Sequence, residues 1–192
     1  MIEYFPQLAA VLALAASIVY IKSMRKGESR PHRTTRFVIL AIALVTTASL
    51  VAQGNSASVW FSAASAIQGG AVFALSLKYG LGGTDRLDIV CLLIALIGIV
   101  LWQVTKQPIL ALYFAIGADF VGGIPMYIKT WKQPHTEIWT YYAFDVVGAV
   151  LILIATQART FENLAYPMYI FLVNALVIAI VVGRGRIMVR VN

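Results

Sequence analysis

The sequence predicts an all-α membrane protein: seven transmembrane helices arranged three plus one plus three, as two parallel three-helix repeats joined by a linker helix. Three observations lead there. Hydrophobic residues make up 60% of the 192 and charged ones 12%, with a mean hydropathy of +0.83, far from the balance of a water-soluble domain. Seven apolar segments can be marked, none interrupted by Lys or Arg. Finally, 13 of the 15 basic residues fall in alternate connections between those segments.

The segments cover residues 6–21, 37–52, 59–77, 87–102, 109–128, 138–155 and 164–182. Several are short for a hydrocarbon core about 30 Å thick, so little tilt or interfacial anchoring is expected. Trp60 and Trp102 suit one interface, and Tyr20, Tyr79, Trp131 and Trp139 the other, as an aromatic belt requires. The whole chain, 1–192, reads as a single membrane domain, with a first repeat over 1–80, a linker over 81–107 and a second repeat with its tail over 108–192. The start, MIEYFPQ, has no basic n-region, so the first segment is expected to be a retained span.

The first connection holds Lys22, Arg25, Lys26, Arg30, Arg33 and Arg36; the third Lys78 and Arg86; the fifth Lys129 and Lys132; the tail Arg184, Arg186 and Arg190. Only Lys106 and Arg159 face the other way. By the positive-inside rule the N-terminus lies outside and the C-terminus in the cytoplasm of a plasma-membrane protein. The net charge of +7 therefore orients the chain and calls for no nucleic-acid partner. The first basic connection, residues 22–36, can also attract anionic lipid headgroups. Cys91 is the single cysteine, which excludes a disulfide framework or thiolate metal site within one chain. His32 and His135 sit in basic connections without metal-ligand spacing, and no cofactor is expected.

A weak internal repeat runs through the chain. Tyr20-Ile21-Lys22-Ser23-Met24-Arg25 recurs as Tyr127-Ile128-Lys129-Thr130-Trp131-Lys132 at an offset of 107, Pro31-His32 as Pro134-His135 at 103, and Gln53 as Gln157 at 104. Spans one to three map onto five to seven, and span four is left over as an inverting connector. In the second half, Pro125 lies near the cytoplasmic end of a span, followed by a basic loop, an aromatic-rich return span and a third span with a central Asn174. This pattern resembles the SWEET and PQ-loop superfamily, whose members are built three plus one plus three with the N-terminus outside. The resemblance implies a transporter, with sugars as one substrate class. The family's proline-glutamine dipeptide is Pro125-Met126 here, Ile18 stands at the matching position of the first half, and Pro6-Gln7 lies at the outer mouth of span one.

Asp119 and Asp145 lie near mid-depth in spans five and six, where a carboxylate costs about 2.5 to 3.5 kcal/mol on insertion scales. Gln68 and Asn174 lie at the same level in spans three and seven. Polar side chains at this depth belong in a bundle interior or a wet cavity, so all four are expected to converge as a substrate-binding site. Small residues at four-residue spacing support this: Ala111, Ala115, Asp119 and Gly123 share a face of span five, Gly148 and Ala149 flank Asp145, and Ser62, Ala66, Gly70 and Ala74 form a stripe on span three. The alternative is a structural polar knot. Gly122, Gly123 and Pro125 read as a hinge at the cytoplasmic mouth and Pro167 as an outer break, or else as tolerated kinks. Thr46, Thr47 and Ser49 are expected to bond back to their own helix.

Three functions fit. The leading one is a small-solute transporter or facilitator, with a cationic solute or proton linkage favoured by two acids at one depth. A sorting receptor or accessory subunit is the second, and an intramembrane aspartyl hydrolase the third. The first two are not enzymatic. Expected partners are a small-molecule solute and the bilayer, and assembly as a homo-oligomer is compatible with the sequence.

Overall fold

The computed structural model describes residues 2–82, 86–105 and 107–191. Lys106 and the side chains of Cys91, Trp102, Ala111, Arg186 and Arg190, on which the sequence reading drew, lie outside the described residues. The chain is all-helical, without strands among the described residues: α1 (Phe5–Lys26), α2 (Arg33–Ala52), α3 (Ser56–Tyr79), α4 (Arg86–Thr105), α5 (Pro108–Lys132), α6 (Trp139–Ala155) and α7 (Phe161–Val191), with single 3-10 turns at Ile2–Tyr4 and Pro134–Thr136. Four stretches among the described residues are long and apolar enough to cross a membrane, Phe5–Lys26, Arg33–Ala52, Ala57–Tyr79 and Phe161–Gly185, while Trp139–Ala155 is a shorter apolar helix.

Local chemistry sets the ends. Pro6 and Pro108 stand in the first turns of α1 and α5, where a missing N–H costs nothing. Gly27 closes α1 in the left-handed conformation, φ 76°, its N–H donating to Met24 O, a cap that disfavours any residue with a Cβ. Between α2 and α3 only Gln53, Gly54 and Asn55 intervene, and the Asn55 side chain accepts from Ser58 N at 3.3 Å, an N-cap that satisfies one orphan donor.

Polarity is arranged inside out. Val11, Ile18, Leu44, Ile67 and Leu172 are exposed, whereas Arg36, Ser62, Gln68, Asp145 and Asn174 are buried. Such a surface suits lipid, and the backbone of each helix satisfies itself. α3 packs against both α1 and α2, and α7 against both α6 and α5; α1 lies on α6, α2 on α5, and α4 on α5 and α2. On α1 the buried seam is Ala9, Ala13, Ala16 and Tyr20, small residues at helical spacing that allow close approach. One apolar cluster joins Ala9, Ala13, Leu50, Phe61, Ala149 and Ile152; another joins Tyr20, Met24, Val72, Met126, Tyr142 and Val177.

Several details differ from the sequence reading. α5 and α7 run past their apolar segments, so Arg184 extends a helix, because no proline stands between the end of either segment and the end of its helix. Arg36 is the fourth residue of α2 and is buried, Tyr20 is fully buried and no part of an interfacial belt, and His32 is buried at the start of α2. On α3 the small stripe covers Ser62 and Ala66, but Ala74 is exposed. Thr47 does bond back to Ala43 O at 2.7 Å and also meets Ser62 Oγ at 2.7 Å, whereas Ser49 Oγ has no partner.

Gly122 is a contact glycine: a Cβ there would collide with Val38 Cγ1 and lie 3.1 Å from its Cβ. α2 and α5 approach closely because that side chain is missing. Gly122→Ala is expected to lower stability by about 1 to 3 kcal/mol through overpacking, and Val38→Ala in the same chain to restore part of it. Thermal unfolding in detergent checks both.

Candidate functional site

α2, α3, α5, α6 and α7 line a cavity of about 110 Å³, room for several waters or one small solute. The structure brings all four mid-depth residues to it: Gln68 from α3, Asp119 from α5, Asp145 from α6 and Asn174 from α7 line one wall or another. Gln68 is 3% and Asp145 9% exposed. Asp119 is half-buried, and its Oδ2 accepts a hydrogen bond from Tyr169 Oη on α7. Asp145 faces Gln68. Neither Asp145 Oδ1 nor Gln68 Oε1 has a hydrogen-bond partner, and both residues line the cavity. Asn174 Nδ2 donates back to Ile170 O at 2.8 Å. The two carboxylates thus have separate partners on separate helices.

The hinge candidates lie beside this site. Pro125 and Pro167 are buried within α5 and α7, and each brings no N–H to its helix. Gly122 serves the α2–α5 contact, and Gly123 faces the Tyr127 ring of its own helix. Tyr127 also lines the cavity.

Arg36 is the residue the sequence reading placed elsewhere. It is 3% exposed, and it lines the cavity with Tyr141 and Tyr142. Its Nη2 donates to Tyr20 Oη at 3.0 Å and Tyr142 Oη at 3.3 Å, and Nη1 to Tyr141 Oη at 3.4 Å. The guanidinium also stacks over the Tyr20 and Tyr141 rings, 4.9 and 5.4 Å from their centroids, which suits a weakly hydrated planar cation. Tyr20 and Tyr142 pass the interaction on: both donate to Glu137 Oε2, at 2.6 and 2.8 Å. Glu137 Oε1 in turn pairs with Lys129 Nζ at 2.5 Å. Burial pushes the Glu137 carboxyl up, but Lys129 and then Arg36 outweigh it and hold the group below its usual range.

Helical spacing carries a trace of these residues. Arg36, Ala43 and Thr46 fall at i, i+7 and i+10 on one face of α2, and Tyr141, Asp145 and Gly148 at i, i+4 and i+7 on α6; Arg36, Thr46, Tyr141 and Asp145 all line the cavity. Glu137 gave no signal, since an acid in a basic loop reads as solvated.

Removing the Tyr169 hydroxyl leaves a half-buried carboxylate without its donor. Tyr169→Phe is expected to cost about 1 to 3 kcal/mol, and Asp119→Asn to reduce that cost, a coupling that a double-mutant cycle in thermal unfolding reads directly.

Comparison of the chain with models of protein families, with curated proteins and with solved structures found no match.

Proposed function

We propose that the chain is a seven-span transporter or facilitator of a small polar solute, built as two parallel three-helix units around α4, with the basic end in the cytoplasm and the N-terminus outside. Corresponding helices begin at Phe5 and Pro108, Arg33 and Trp139, and Ser56 and Phe161, offsets of 103, 106 and 105 residues. The packing has the same symmetry: α3 between α1 and α2 matches α7 between α5 and α6, and the contacts of α1 with α6 and α2 with α5 exchange under it. Gln68 and Asn174, 106 residues apart, occupy equivalent helices. Parallel repeats with a polar site at mid-depth between them are what alternating access by rocking of two units requires.

The observation that carries the reading is one cavity lined by both units, with unpartnered acceptors on Asp145 and Gln68. Acceptors in a closed apolar bundle favour a solute rich in N–H or O–H donors, or a cation, over an anion. Arg36 in the lining supplies the opposite polarity. A proton-sharing acid pair would need the two carboxyls in contact, and here Tyr169 engages one and Gln68 faces the other.

Uptake of radiolabelled glucose, methylammonium and a neutral amino acid into proteoliposomes tests the proposal. At least one should enter above the protein-free rate, and Asp145→Asn with Asp119→Asn should cut that entry by about tenfold or more, the loss of roughly 1.4 kcal/mol of binding or gating energy. Uptake undiminished in the double variant would remove the acids from the mechanism.

A further inference from the structure

We propose that the cluster of Tyr20, Arg36, Lys129, Glu137 and Tyr142 is a charge-locked gate closing the cavity at the end where the basic connections meet. The gate rests on the transport reading for its purpose, though its geometry stands apart from it.

The cluster joins the two halves of the chain. Tyr20 and Arg36 come from α1 and α2; Lys129, Glu137 and Tyr142 from α5, the following turn and α6. Tyr20 Oη donates to Glu137, and Arg36 to Tyr141 and Tyr142, across that division. The loops continue the seam: Lys129 Nζ donates to Arg30 O at 2.8 Å, and Arg30 N to Thr136 O at 3.0 Å. Arg36, Tyr141 and Tyr142 also line the cavity, so parting the seam would open it on that side.

The opposite end is built differently. Ala9, Ala13, Leu50, Phe61 and Ile152 pack there, and the polar link described between the halves is Asn55 Nδ2 to Asn163 Oδ1 at 3.3 Å. Apolar contacts yield gradually, whereas a buried ionic cluster does not. Taking away one member strands a charge among the others, so the cluster holds or fails as a unit. Structural cohesion alone would be met by apolar packing without the desolvation of three charges.

Protonation has a definite sign. Glu137 faces Lys129 from α5, Arg36 from α2, Tyr20 from α1 and Tyr142 from α6, and its carboxyl is held below the usual range. The lock is therefore complete above that range and lost as pH falls through the depressed value. At neutral pH the gate opens by motion, not by titration.

The test reads access to the cavity and needs no substrate. In the full chain carrying Cys91→Ser and Ser65→Cys, Ser65 being a cavity residue, a membrane-impermeant methanethiosulfonate reagent is applied from the basic-loop side of oriented vesicles. Glu137→Gln and Tyr20→Phe, which keep shape while removing charge or a donor, should each raise the labelling rate by about tenfold over the parent. Lys129→Met should do the same, and it takes the place of either variant that does not fold. Unchanged rates in folded variants overturn the gate even where uptake is intact. Faster labelling without uptake of any tested solute keeps the gate and overturns the transport reading.

Discussion

A guanidinium inside an apolar bundle imposes the strictest demand in this molecule. Burial takes Arg36 out of bulk water, so protein acceptors and aromatic faces solvate it, and they come from α1 and α6. Tyr20 and Tyr142 accept from Arg36 and donate to Glu137. Each phenol thus links a cation to an anion that do not touch. Lys129 completes the neutralisation of Glu137. Three helices and a loop are fixed relative to one another because one charge has to be accommodated.

Under the proposed repeat, a near-symmetric bundle would carry an asymmetric site. Arg36 and Tyr142 are 106 residues apart, the same offset as the starts of α2 and α6. On that proposal, matching positions carry a cation on α2 and a phenol on α6, and the two are bonded. Gln68 and Asn174 show the milder form of the same divergence: one amide faces Asp145, the other bonds back to Ile170. Both acids belong to the second half, and the first half contributes the fixed positive charge.

Much of the fold was legible because bilayer-length apolar segments report helices whatever their neighbours are. Mid-depth polarity was legible for the same reason: Asp119, Asp145, Gln68 and Asn174 stood out against an apolar background, and they share a cavity. The basic end was not. Arg36, Glu137 and Lys129 looked like ordinary loop charges, since one-dimensional charge counting cannot tell a solvated residue from one folded inward. Tyr20 was misplaced on the same ground, an aromatic at a segment end being taken for a lipid-interface anchor. Helix length was also underread, because polar residues such as Arg184 end an apolar run without ending a helix.

That last point bears on α7. At 1.5 Å per residue its 31 residues extend roughly 46 Å, well beyond a hydrocarbon core of about 30 Å. A span of that length would project past the core, and its final turns are one helix with the segment that carries Asn174 and Tyr169. Near that end Arg184 rests over the Trp131 ring, 4.7 Å from its centroid, a foothold on α5. The stretch beyond Gly185 therefore belongs to the same helix that walls the internal chamber, with no loop between them.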